Sequence, residues 1–196
     1  MTRHVASIDR TYFDNLYASD ADPWRFATSD YERDKYAATL AALPDRRFGS
    51  ALEVGCSIGI LTRQLASRCD SLLAIDVADA ALARARENCP DANIAFANRQ
   101  VPREWPGGQY DLIVFSEVLY YLDLADLGEV AKLARDDLTE DGVILLVHFT
   151  EETNYPLTGD RAAEDFIAAA GLPVTRHSRA PRYRLDVLDA AGPKRN

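Results

Sequence analysis

One glutamate, two glycines and one aspartate stand at a spacing that suits ligand chemistry. Residues 51–59 read Ala-Leu-Glu-Val-Gly-Cys-Ser-Ile-Gly. Glu53 lies near the end of an apolar stretch. Gly55 and Gly59 bound a turn, and Ile60, Leu61, Leu65 and Ala66 continue as one helix face. A strand that breaks at glycines into a helix forms the ligand-binding corner of a doubly wound α/β sheet, since glycine lets backbone approach a ligand with no Cβ in the way. The order is E-x-G-x-x-x-G, whereas dinucleotide loops read G-x-G-x-x-G. An acid before the first glycine and a missing middle glycine favour a ligand with an amino group and no pyrophosphate. Asp76 follows the apolar run Leu72-Leu-Ala-Ile, about 20 residues beyond Gly55, where an acid can accept both hydroxyls of a ribose. The competing role is a helix N-cap, which Asp79 fills equally well. With the glycine loop upstream, ribose is the favoured assignment.

These residues must be positioned by alternating strands and helices. The pattern predicts two helices, 8–19 and 31–43, around Asp20-Ala-Asp-Pro-Trp-Arg-Phe. Strands follow at 51–54, 71–75, 94–97, 110–115 and 143–149, then 174–178 and 183–188. Helices at 59–68, 78–88, 124–138 and 159–170 separate them, with turns at Pro106-Gly-Gly, Glu140-Asp-Gly, Gly171-Leu-Pro and Ala180-Pro. Alternation implies a mostly parallel sheet. The last two strands are joined too tightly for a crossover helix, so one of them runs antiparallel. The expected architecture is α/β and Rossmann-like. It has seven strands, helices on both faces, a helical lid over residues 1–45 and a core over 46–196, all in a single domain. The tail from Gly192 to Asn196 is expected to fray.

The chain of 196 residues is 47% hydrophobic, enough for a sizeable core. No apolar run approaches the roughly 20 residues that span a bilayer, and the N-terminus has no apolar signal core, so a cytoplasmic address is expected. The net charge is −9, with no basic stripe of the kind nucleic acids require. The four arginines between Arg176 and Arg184 read as a solvated strand face. Cys56, Cys69 and Cys89 show no paired spacing, which argues against a disulfide framework. His4, His148 and His177 have no metal-type spacing, so no metal is expected. A monomer or weak dimer is expected, because no exposed apolar stripe stands out.

The loop, the acid before it and the second-strand acid together resemble the class I S-adenosylmethionine-dependent methyltransferases. The resemblance implies that the loop (Glu53, Gly55, Cys56 and Gly59) contacts the methionine part of S-adenosylmethionine, and that Asp76 holds the ribose with Val77 against the adenine. After the third strand that family commonly has an Asp at the adenine amino group; here Gln100 takes the place, and its amide can accept the same bond. Three further segments look like the rhizobial nodulation N-methyltransferases (NodS). They are Asp22-Pro-Trp-Arg-Phe with Tyr31-Glu-Arg, then Ala51 to Cys56, then Asp111-Leu-Ile-Val-Phe-Ser-Glu-Val-Leu-Tyr-Tyr-Leu122. The resemblance runs from about residue 20 to about residue 150. It implies methyl transfer to the free amine of a de-acetylated chitooligosaccharide or amino sugar, leaving S-adenosylhomocysteine.

In an open parallel sheet the carboxyl ends of the strands border the binding crevice. Ser116, Glu117, Tyr120, Tyr121 and His148 are therefore expected there. Glu117 and His148 are the candidates to take the acceptor's proton, and Tyr121 joins them as a catalytic candidate. Blander roles are open for each. His148 can bond backbone, Glu117 can cap a turn, and adjacent Tyr120 and Tyr121 are not expected both to face the core. Trp24 serves as core or lid. Arg25 holds the cofactor carboxylate or pairs with Asp22. Cys56 reads as a small loop residue without a base to activate it. The rival functions are an O- or N-methyltransferase of another small metabolite, a nicotinamide oxidoreductase, and a non-enzymatic cofactor-binding module.

Overall fold

The computed structural model describes residues 2–192; the expectation about the tail falls outside it from residue 193 onward. The chain divides into two compact units. One runs from Asp9 to Gln100, and the other from Val101 onward together with the residues up to Ile8.

The first unit holds α1 (Arg10–Ser19), α2 (Asp30–Ala42), β1 (Phe48–Val54), α3 (Ile60–Ala66), β2 (Cys69–Asp76), α4 (Asp79–Asn88) and β3 (Ile94–Asn98). Its strands lie in the order β3-β2-β1, all parallel. The last four residues of β1 are buried without a break, as expected of a strand covered on both faces. Asp9 starts α1 by accepting from the Thr11 amide at 2.9 Å, and Ser29 starts α2 by accepting from Glu32. Helix α1 packs on α4, and α2 on α3.

The second unit holds β4 (Tyr110–Ser116), a 3-10 turn (Leu119–Tyr121), α5 (Leu124–Asp136), β5 (Leu138–Phe149), α6 (Gly159–Ala170), β6 (Val174–Arg179) and β7 (Tyr183–Asp189). Its order is β4-β5-β7-β6. β4 and β5 are parallel, while β7 runs antiparallel to both β5 and β6. The seven strands, with one reversed, agree with the architecture read from the sequence. Among the described residues no helix is long and apolar enough to cross a membrane.

Two expectations fail here. The fifth strand starts at Leu138 and not at Val143, and the Glu140-Asp-Gly turn lies inside it, where the chain folds back so that Gly142 meets Leu138 and the Thr139 carbonyl. The extra residues are absorbed as an irregularity, since Tyr110 pairs Leu138 and Leu112 pairs Val143. Gly142 is needed there because a Cβ would lie 2.6 Å from Leu138 Cγ. Nor are the four arginines all on a solvated face. Arg184 is 5% exposed, and it donates to both oxygens of buried Asp186 at 2.9 and 3.1 Å. β7 is an interior strand with α6 packed against it, so a polar side chain on that face is buried and requires a partner.

Candidate functional site

In the first unit the glycine loop is stitched down from several sides. The Gly55 and Cys56 amides both donate to the Ile75 carbonyl, at 2.8 and 3.0 Å, and Gly59 donates to Cys56 at 3.0 Å. Asn88 Nδ2 donates to the Ile58 carbonyl at 2.9 Å. Gly55 and Gly59 have φ of 82° and 83°, a region that disfavours side chains. At Gly59 a Cβ would also lie 2.9 Å from Cys89 Sγ.

Asp76, at the tip of β2, ties this loop to the next turn. Its Oδ2 accepts from the Ser57 amide at 2.8 Å and its Oδ1 from the Ala78 amide at 3.0 Å. Burial raises its pKa against these stabilising bonds. Asp79 does not cap α4; its Oδ1 accepts from Asn98 Nδ2 at 2.7 Å, and the same amide holds the Val77 carbonyl at 3.1 Å. Val77 and Gln100 are half-buried. Cys56 is buried and burial pushes its thiol well above its usual range, which is inert-thiol behaviour.

Glu53 is 1% exposed, and its Oε2 has no hydrogen-bond partner. A buried carboxylate oxygen without a partner is costly. An amino group of a ligand would satisfy it. Burial pushes this carboxyl from 4.5 up to about 7, the neighbouring Thr62 hydroxyl opposing the rise and the Asp76 charge adding to it. Between those values the unfolded chain carries an ionised Glu53 and the folded protein a protonated one. Stability therefore falls as pH rises through that window. Above it the folded state carries a penalty of about 3 kcal/mol. Glu53→Gln is expected to melt higher than the parent at pH 8, to match it near pH 4.5, and to bind an aminated ligand more weakly. Equal melting of the two proteins at pH 8 would contradict the assignment.

The segment between α1 and α2 presents Trp24 and Arg25. Trp24 stacks on Phe26 with ring centroids 5.5 Å apart and meets Tyr17 edge-on at 5.8 Å. Arg25 is exposed, at a left-handed φ of 59°. The Asp22 carboxylate accepts from the Phe26 and Ala27 amides at 2.8 and 3.0 Å, so it is occupied by backbone. Among the described residues only Arg25, Ser57 and Glu117 are non-glycines at positive φ, and such strained positions concentrate at functional sites. Tyr31 is half-buried, and its ring lies 5.2 Å from Lys35 Nζ. Sequence reasoning missed Tyr17, whose hydroxyl bonds the Ser57 hydroxyl. Burial raises its pKa, so the phenol stays protonated. The Phe13/Tyr17 spacing on one helix face was the available signal.

In the second unit, Ser116 is the buried end of β4, and Glu117 follows it at φ 59°. Glu117 Oε2 accepts from the Phe149 amide at 2.7 Å and the Tyr120 hydroxyl at 2.9 Å, bridging the ends of β4 and β5. Burial, then the Glu117 charge, holds the Tyr120 pKa well above its usual value. His148 is fully buried, and its Nε2 accepts from the Leu119 amide at 3.3 Å. Its lone pair thus supports the 3-10 turn. Tyr120 and Tyr121 are both buried, against expectation. Leu157 donates to the Tyr120 carbonyl at 3.2 Å, Ile8 donates to that of Tyr121 at 2.8 Å, and the Tyr155 ring contacts both. A second layer of chain covers the turn.

Strand–glycine turn–helix, an acid at the tip of β2, and a single reversed strand in a seven-stranded set define the class I methyltransferase fold. The NodS N-methyltransferase of Bradyrhizobium japonicum WM9, solved with S-adenosyl-L-homocysteine, matches with a TM-score of 0.78 at 25% identity, over 92% of this chain and 98% of that one. A candidate methyltransferase of Pseudomonas syringae matches at 0.69 and 36% identity, over 81% of this chain and 98% of that one. The chain belongs to the Nodulation protein S (NodS) family, whose model matches residues 14–139. Nodulation protein S of Bradyrhizobium diazoefficiens is 42% identical over 105 residues, which is 52% of this chain and 49% of that protein. The chain spans about half the length of several of the curated relatives it matches.

Proposed function

We propose that this protein transfers a methyl group from S-adenosylmethionine to the amine of a small polar acceptor, an amino sugar or de-acetylated chitooligosaccharide. The observation that carries the reading is the buried, unpartnered Glu53 oxygen under a loop whose neighbour Asp76 is held by two backbone amides. Glu53 with Gly55, Cys56 and Gly59 would hold the methionine portion of the cofactor. Asp76 would hold the ribose, Val77 and Gln100 the adenine, and Arg25 the carboxylate, with Trp24 and Tyr31 on the helical lid over residues 1–45 and Ser116 completing the set. When bound, the cofactor supplies a methyl group activated on a sulfonium.

Given such a donor, the protein has no electrophile to generate; alignment and proton removal are the work left. Glu117 is the group to take the acceptor's proton. It is half-buried, and the bonds from Tyr120 and Phe149 aim its carboxylate. His148 serves in this reading by holding the turn that bears Tyr120 and Tyr121. Using Nε2 as a base would break its bond to Leu119. Buried free cysteines suit a reducing compartment, and the reading extends to a cytoplasmic monomer or weak dimer.

The test is a titration with S-adenosylhomocysteine, followed by an acceptor screen with labelled cofactor on amino sugars and phenols, read by product mass. Binding and a mass gain of one methyl on an amine are expected. No binding ends the reading, and turnover of phenols alone converts it to O-methylation.

A further inference from the structure

β4 and β5 run parallel, so the loops that leave them emerge at the same edge of the sheet. Three tyrosines meet there. Tyr120 and Tyr155 stack with centroids 5.4 Å apart and planes within 8°, and Tyr121 meets Tyr155 at 4.5 Å. Tyr120 and Tyr121 are buried, while Tyr155 is partly exposed. Tyr155 lies on residues 150–158, which have no helix or strand yet are held on two sides. Leu157 donates to the Tyr120 carbonyl at 3.2 Å, and His4 to the Asn154 carbonyl at 2.8 Å. Arg3 Nη1 donates to the Tyr155 carbonyl itself at 2.8 Å. The same N-terminal strap is fastened at its other end, where the Asp123 amide donates to Ser7 Oγ at 2.9 Å.

We propose that Tyr155 is the residue that determines acceptor choice, its ring seating the apolar face of the acceptor, and that Arg3 is a positioning residue for it. Resting on the methyl-transfer reading above, the inference adds the chemistry of the acceptor. Tyr120, stacked under Tyr155, donates to the Glu117 carboxylate. An aromatic face next to an acid suits a ring that carries an amine, because an ammonium gains from both the π face and the carboxylate. Tyr155 and Arg3 both lie outside residues 14–139 that the family model matches. The family match therefore places no constraint on this acceptor wall, and acceptor choice can differ between this chain and its relatives while the cofactor site stays the same.

The experiment is steady-state methylation of a de-acetylated chitin tetramer by the full chain. Tyr155→Ala is expected to raise the KM for the tetramer about tenfold while its affinity for S-adenosylhomocysteine stays within about twofold. Tyr155→Phe, which keeps the ring, stays within about twofold of the parent in KM. Arg3→Ala raises KM about threefold, and Arg3→Lys, which keeps a donor, restores most of it. An unchanged KM in a well-folded Tyr155→Ala protein overturns the proposal, as does loss of S-adenosylhomocysteine affinity in step with KM. If the parent methylates some other acceptor instead, the amino-sugar reading fails, and the same KM split on that acceptor decides the role of Tyr155. If the parent methylates nothing, both fall.

Discussion

Asp76→Ala is expected to weaken S-adenosylhomocysteine binding by about 100-fold or more, close to 3 kcal/mol. Two losses combine. The carboxylate that would accept the ribose hydroxyls disappears, and charge-assisted bonds of that kind are worth about 1.5–3 kcal/mol. The Ser57 and Ala78 amides also lose their acceptor, which frees the loop from the turn before α4. Asp76→Asn separates the two effects. An amide can satisfy only one of these amides, because its nitrogen would face the other N–H. A loss of about tenfold or more is therefore expected for it as well. Calorimetry at pH 7.5 reads both variants, with thermal melts as the check on folding. If well-folded Asp76→Ala binds within about threefold of the parent, Asp76 is a turn-capping residue and the ribose assignment is wrong.

Gly159→Ala is expected to be the most damaging single-methyl change in the second unit, lowering stability by about 3 kcal/mol or more. The added Cβ would lie 1.9 Å from the Phe149 carbonyl oxygen, 2.9 Å from its carbon and 3.3 Å from His148 Cβ. Two of these atoms are backbone of β5 and have nowhere to go, so the whole of α6 must lift. That helix buries Ala162, Ala163 and Phe166, and its first residue abuts the strand end that carries Glu117's amide partner. Activity should fall even where the variant stays folded. Gly128→Ala, within α5, is the control. Nothing lies within 4 Å of its added Cβ, and helix propensity favours alanine by up to about 1 kcal/mol. Urea titrations of both variants check the contrast; if Gly159→Ala is no less stable than Gly128→Ala, the tight α6–β5 packing is refuted.

Where the expectations came from local pattern, they agree with the structure. The helix 159–170 is the observed α6, bounded by the Thr158 cap and by Gly171 at φ 65°, because caps and terminal glycines act on neighbours along the chain. The strands around the glycine loop were found for the same reason, though β1 begins three residues before its expected start. The loop at 53–59 and Asp76 were legible because their chemistry depends on sequence order alone. The irregular start of β5 was not. Leu138, on the near side of the Glu140-Asp-Gly turn, pairs with Tyr110 and so starts the strand five residues before its expected start, a pairing that no local signal announces.

The sequence by itself determined the alternating α/β plan, the corner that ends in Glu53, Gly55 and Gly59, and the family. All of these are written in residues close together along the chain. Tertiary structure alone decided which polar groups are already engaged. It commits His148 Nε2 to Leu119, divides Asp76 between Ser57 and Ala78, buries Arg184 against Asp186, and leaves Glu53 Oε2 without a partner. It also brought Tyr155 onto Tyr120 across 35 residues and fastened Arg3 to the same loop. Such meetings depend on how strands order and helices pack, and periodicity along the chain carries no record of them.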